Sequence, residues 1–169
     1  MAQLRKQESS FKGTIGKTLN DSEPWFELPQ HPGEDAPNVV VVLLDDTGFA
    51  QLGCYGSSID TENIDNLAAD GMQFTNFHVT PLCSPTRASL LTGRSQHAVG
   101  MRSVSNFRTG FPHMLGHITN EAATMAEIFQ AEGYATFCAG KWHLAPMENC
   151  SSAGPFDQWP LGRGFDRFY

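Results

Sequence analysis

The chain has 169 residues, enough for one domain with a sizeable core, and its 40% hydrophobic and 17% charged residues exclude disorder throughout. With 18 Asp+Glu against 11 Lys+Arg, the formal net charge is −7 and the pI near 5.2. This acidic balance argues against a nucleic-acid partner, whose binding begins with basic groups on phosphate, and it requires any anion site to be positive locally.

Residues 1–37 are polar and carry Pro24, Pro29, Pro32 and Pro37, which reads as an extended N-terminal arm. Arg5 and Lys6 precede no apolar segment of signal-peptide type. No stretch approaches the roughly 20 apolar residues of a membrane span, so the expectation is a cytoplasmic protein without a membrane partner. From Asn38 the pattern changes. Val39 to Leu44 is an unbroken apolar, β-branched run, the pattern of a strand buried on both faces of a parallel sheet. It ends in Asp45-Asp46-Thr47-Gly48.

Thr61 is placed to cap a helix over 62–70, with Ile64, Leu67 and Ala68 on one face and Gly71 as its stop. Met72 to Val79 is a candidate strand. Ser84 can cap a short helix to about Leu91, with Pro85 at the first helical position and Gly93 near the exit. Thr124 and Glu127 form a capping box for a helix to Glu132, stopped by Gly133. Tyr134 to Ala139 reads as a second buried strand leading into Gly140-Lys141-Trp142-His143. Strands alternating with helices indicate an α/β layered fold. Beyond His143 periodicity fades, and Gly164 to Tyr169 shows no finished element, so residues 38–169 are expected to be an incomplete domain.

Adjacent carboxylates at a strand's carboxyl end lie where open α/β sheets bind ligands, and a hard divalent cation would relieve their repulsion. A turn-capping Asp beside a solvated one explains the pair equally well. Among Cys54, Cys83, Cys138 and Cys150 no Cys-x-x-Cys pair occurs, and reduced thiols are the simpler default, with a Cys138–Cys150 bridge left open. Cys83 precedes the Ser84 cap, at the positive end of a helix, a location that favours anions. Side chains lean toward a helix N-terminus, so Arg87 can point back at position 83. Judged by composition alone, a buried structural thiol beside a capped helix, with Arg87 solvated, is the preferred reading.

Cys83-Ser84-Pro85-Thr86-Arg87 followed by Thr92-Gly93-Arg94 resembles the Cys-x-Pro-x-Arg signature of type I, arylsulfatase-like sulfatases. The Asp45-Asp46 strand end, the Thr61 to Gly71 helix and Gly133 to Leu144 agree in order and spacing. The resemblance implies an alkaline-phosphatase-like layered fold with a mostly parallel sheet, present here as its N-terminal part. It implies sulfate-ester hydrolysis, aryl or alkyl, after a formylglycine-generating maturation enzyme has oxidised Cys83 to formylglycine. The hydrated aldehyde, a gem-diol, is then the nucleophile. Asp45, Asp46 and modified Cys83 would ligate Ca²⁺, or Mg²⁺ in its place. Arg87 would hold the formylglycine, Lys141 bind the sulfate and His143 hydrogen-bond near the nucleophile. If extension continues past the strand, Lys141 and His143, two apart, project to one side.

Members of that family are several times longer, and their later metal ligands have no match here. Asp157-Gln158 lies too early to supply them. A phosphonate or phosphodiester hydrolase of the same superfamily, or an inactive truncated fragment, is the alternative reading.

Overall fold

Local punctuation decides where the helices fall. The structure, a computed structural model, describes residues 11–26, 28 and 31–169. Arg5, Lys6 and part of the N-terminal arm therefore lie outside the described residues. Within the arm, Thr14 and Glu23 exchange backbone hydrogen bonds of 3.0 and 2.9 Å across a short antiparallel bridge.

Helix α1 spans Glu62–Asp70, α2 Cys83–Thr92 and α3 Met125–Ala131. The α3 capping box forms in both directions. Glu127 N–H donates to Thr124 Oγ1 at 3.2 Å, and Thr124 N–H donates to Glu127 Oε2 at 2.6 Å. Gly133 follows with φ 87°, the left-handed conformation that favours glycine after a helix. Thr61 sits at the start of α1, but its hydroxyl accepts from Gly53 N–H at 2.8 Å and donates to Asp65 at 2.9 Å. It ties the preceding 3₁₀ turn, Gly53–Tyr55, to the helix. Of the expected apolar face, Ile64 and Ala68 are half-buried while Leu67 is exposed.

Helix α2 starts two residues earlier than the sequence suggests. Leu82 occupies the cap position without a side-chain cap bond, and Cys83 is the first helical residue. Ser84 is fully buried, and its hydroxyl accepts from the buried Ser105 N–H at 3.2 Å instead. Pro85 is still accommodated, because first-turn N–H groups have no intrahelical partner to lose. At the other end Gly93 adopts φ 63° and its N–H reaches Ser89 O.

The core lies around α2. Ala88 packs with Val99, Met101, Ile118, Ala122 and Leu144, and Leu91 and Trp142 close over them. Arg163, 3% exposed, is inserted beside this cluster. Its guanidinium donates to Ile118 O at 2.8 Å and Ala122 O at 2.7 Å and pairs with Glu127 at 3.4 Å.

The described sheet is small and parallel. Strand β1 is Phe137–Cys138 and β2 is Arg167–Phe168, in register Phe137 to Arg167 and Cys138 to Phe168. Bonds continue beyond it: Asp166 N–H to Thr136 O at 2.8 Å, Tyr169 N–H to Cys138 O at 3.0 Å and Gly140 N–H to Tyr169 O at 2.7 Å. The carboxylate of Asp166 accepts from Thr136 N–H and from Gln130, at 2.8 and 2.7 Å. The final residues thus form an element that their sequence does not announce.

Two expected strands do not form among the described residues. Val39 to Leu44 is unpaired, with exposures from 38% to 83%. A parallel strand is buried only where neighbours pair its edges and layers cover both faces, and the described residues provide neither. Met72 to Val79 is likewise unpaired, with Phe74 and Phe77 exposed and leaning on one another at 6.2 Å. All four cysteines are free. No described helix is long and apolar enough to cross a membrane.

Candidate active site

Three separate segments bring charged and nucleophilic groups to one place. Asp45 ends the apolar run, Cys83 and Arg87 occupy the first two turns of α2, and Lys141 and His143 follow β1. Cys83 Sγ lies 3.1 Å from His143 Nδ1. Lys141 Nζ donates to Asp45 Oδ2 at 2.9 Å, and Arg87 Nη2 donates to Asp45 Oδ1 at 3.3 Å. Arg87 Nη1 also donates to the Lys141 carbonyl, tying α2 to the β1 exit. The Arg87 side chain is only 12% exposed, and its buried Nε has no partner among the described residues. A desolvated N–H of this kind costs about 1–3 kcal/mol until an acceptor meets it.

The segment after β1 turns sharply; it does not continue as a strand. Gly140 and His143 both have positive φ, 93° and 57°, on either side of Lys141-Trp142. The indole of Trp142 fixes this turn by donating to Gln158 O at 2.8 Å and stacking edge-on against Phe165. Lys141 and His143 therefore converge through a turn, not through strand alternation. A left-handed histidine is strained, and such strain persists only where surrounding contacts over-determine it. Both ring nitrogens supply such contacts: Nδ1 faces Cys83, and Nε2 lies 2.6 Å from Asn106 Oδ1. No sequence motif marks Asn106, whose approach depends on a loop packed against α2.

Charge at the site is arranged around Asp45. The Lys141 ammonium, aided by the Arg87 guanidinium, holds the Asp45 carboxyl below the usual carboxylate range, against the opposing effect of desolvation. Reciprocally, Asp45 raises Lys141, keeping it an ammonium. Burial pushes His143 below the ordinary histidine value, and the positive charges of Lys141 and Arg87 push the same way. At neutral pH its imidazole is neutral and can accept a proton. Burial raises the Cys138 thiol, with Arg87 partly opposing.

Asp46 follows Asp45 with φ 53° and faces solvent. Adjacent carboxylates are hard oxygen donors suited in kind to Ca²⁺ or Mg²⁺. Among the described residues, however, no three His, Cys, Asp or Glu side chains are gathered for a metal, and both Asp45 oxygens are held by cations. Gln158 is committed elsewhere. It is 4% exposed and donates to Asn120 at 3.1 Å and to Asp157 at 3.3 Å. Thr92-Gly93-Arg94 shapes the α2 exit, with Thr92 Oγ1 donating to Ala88 O at 2.7 Å and accepting from Arg94 N–H at 3.3 Å.

The Sulfatase family model matches residues 37–169, a span that includes every residue of this constellation. The chain belongs to the sulfatase family. It is 40% identical over 136 residues to human Arylsulfatase D, covering 79% of this chain and 23% of that protein. Against human Arylsulfatase A it is 44% identical over 138 residues, covering 78% of this chain and 24% of the relative. The crystal structure of Ps i-CgsB superposes with a TM-score of 0.61 at 33% identity, over 73% of this chain and 25% of the other. The chain thus spans about a quarter of the length of the relatives it matches. The α/β sulfatase fold expected from the sequence is borne out, and the β1–β2 pair is the parallel sheet of its described portion.

Proposed function

We propose that the protein hydrolyses sulfate esters, aryl or alkyl, with Cys83 matured to formylglycine as the nucleophile. The observation that carries this reading is the approach of Cys83 and neutral His143 at the start of α2, beside two cations shared by one carboxylate. The partners are a small-molecule sulfate ester and a formylglycine-generating maturation enzyme.

Each side chain has a role its position supports. Position 83 lies in the first turn of α2, where unpaired N–H groups and the helix dipole favour negative charge. Arg87 presents a buried N–H with no acceptor among the described residues, which suits it to orient an oxygen on the modified residue 83. Lys141 is an ammonium on a flexible stem, able to exchange Asp45 for a sulfate oxygen. Charge accumulating on equatorial oxygens during such transfer is best met by positioned cations. His143 holds or receives a proton at Nδ1, the nitrogen facing residue 83. Asp45, Asp46 and modified Cys83 would hold Ca²⁺, or Mg²⁺ in its place. A cation held there would supply Lewis-acid polarisation of a sulfate oxygen.

The test is peptide mass spectrometry across Cys83 after co-expression with a formylglycine-generating enzyme, paired with turnover of nitrophenyl sulfate and nitrophenyl phosphonate. Conversion of Cys83 with preference for the sulfate is expected. A persistent thiol at that position would count against the nucleophile, and preference for the phosphonate would move the reading to a phosphonate hydrolase. Matured protein that turns over neither compound would point to an inactive fragment.

A further inference from the structure

We propose that Asn106 is a positioning residue for His143, accepting the ring N–H at Nε2 so that the unprotonated Nδ1 faces residue 83. The proposal rests on the reading of residue 83 as the reacting position. Its argument starts from the loop. Phe107 N–H bonds to Val104 O at 3.0 Å, closing a turn that holds residues 104–107. Ser105 N–H donates to Ser84 Oγ, fastening the loop to the first turn of α2. On the other side Arg108 pairs with Glu148, in the 3₁₀ turn Met147–Asn149. The loop is thus tied to two elements, and Asn106 is delivered between them.

The orientation of the amide follows from its two neighbours. Asn106 Nδ2 lies 3.4 Å from the thioether sulfur of Met147, an acceptor without a proton, and Oδ1 lies 2.6 Å from His143 Nε2. Turning the amide over would set its oxygen against that sulfur and bring its N–H₂ to the imidazole. Only one orientation satisfies both contacts, and it makes Nε2–H the donor. In a neutral imidazole the other nitrogen then carries the lone pair, and that nitrogen is 3.1 Å from Cys83 Sγ. Because His143 has a strained backbone, its ring orientation needs such a fastening on the side away from residue 83.

The experiment compares wild-type protein with Asn106→Leu, which removes the acceptor at similar size, and Asn106→Asp, which retains one. Histidine ¹⁵N labelling, with His143→Gln assigning the signal, reports the ring protons directly. A slowly exchanging proton on His143 Nε2 is expected in wild type and Asn106→Asp and should be lost in Asn106→Leu. In matured protein turning over nitrophenyl sulfate, Asn106→Leu should lower kcat about 10- to 100-fold with KM within about twofold, the scale of a lost orienting partner, and Asn106→Asp should recover most of it. Asn106 is exposed, so unchanged thermal melting in both variants is the check on folding. A wild-type proton on Nδ1, or an Nε2 proton indifferent to Asn106→Leu, overturns the proposal, as does an unchanged kcat. Were wild-type Cys83 to stay unmodified and inactive, the nucleophile reading would fail instead, while the ring-proton comparison still decides the role of Asn106.

Discussion

Cys54 and Cys83 are both partly buried free thiols, yet only one of them faces a proton acceptor. Cys54 sits in the 3₁₀ turn before α1, where its backbone N–H donates to Asp65 at 2.6 Å. Cys83→Ala is therefore expected to abolish turnover of nitrophenyl sulfate, while Cys54→Ala retains it within about twofold, the range of changes that leave transition-state contacts intact. Equal losses in the two variants would undo the assignment. At this scale the family resemblance named Cys83, Arg87, Lys141 and His143 as candidates, and the fold gathers these four residues. Asn106 was not among them, because no local pattern marks a residue whose partner lies 37 positions away and is reached through a folded loop.

Elements held by contacts three or four residues apart were read correctly, as the reciprocal Thr124–Glu127 box and the Gly93 exit show. Elements that depend on distant partners were read unevenly: β1 falls within the expected Tyr134 to Ala139 strand, whereas its partner was missed. The β2 segment Arg167–Phe168 carries no alternation and becomes a strand through β1 and through Asp166, which accepts Thr136 N–H. That N–H first, and then Gln130 and the Thr136 hydroxyl, hold the Asp166 carboxyl below the usual range. Since the folded value is depressed, the stabilisation is present above the unfolded value of about 3.9 and is lost as pH falls through the lower folded value. Urea melts at pH 6 and pH 3 should show Asp166→Ala destabilising more at the higher pH. A difference independent of pH would contradict this. Arg163 ties the same end of the chain to the core through two buried carbonyls. Arg163→Met should cost about 3 kcal/mol in denaturant unfolding, because it leaves those acceptors and Glu127 uncompensated.

Across the described residues, the hydrophobic core cluster lies around α2, whereas the segments before it display apolar side chains outward. Val40 and Val42 are 83% and 77% exposed, and Phe74, Phe77 and Val79 are also uncovered. A continuous β-branched run with unpaired edges is prone to association. The 169-residue chain is expected to self-associate with rising concentration, and the double variant Val40→Lys, Val42→Lys should reduce this in light scattering. Equal scattering from both proteins would show that the run is not the adhesive surface. The burial expected for this run could not be judged from its composition, because burial is a property of what surrounds a strand.

Tyr169 O accepts the N–H of Gly140, the pivot from which Lys141 and His143 turn into the site. The proposed site is consequently sensitive to Tyr169, a residue that contributes no side chain to it. Loss of that bond would release the pivot and let lysine and imidazole wander, loosening the proposed site without altering any of its side chains.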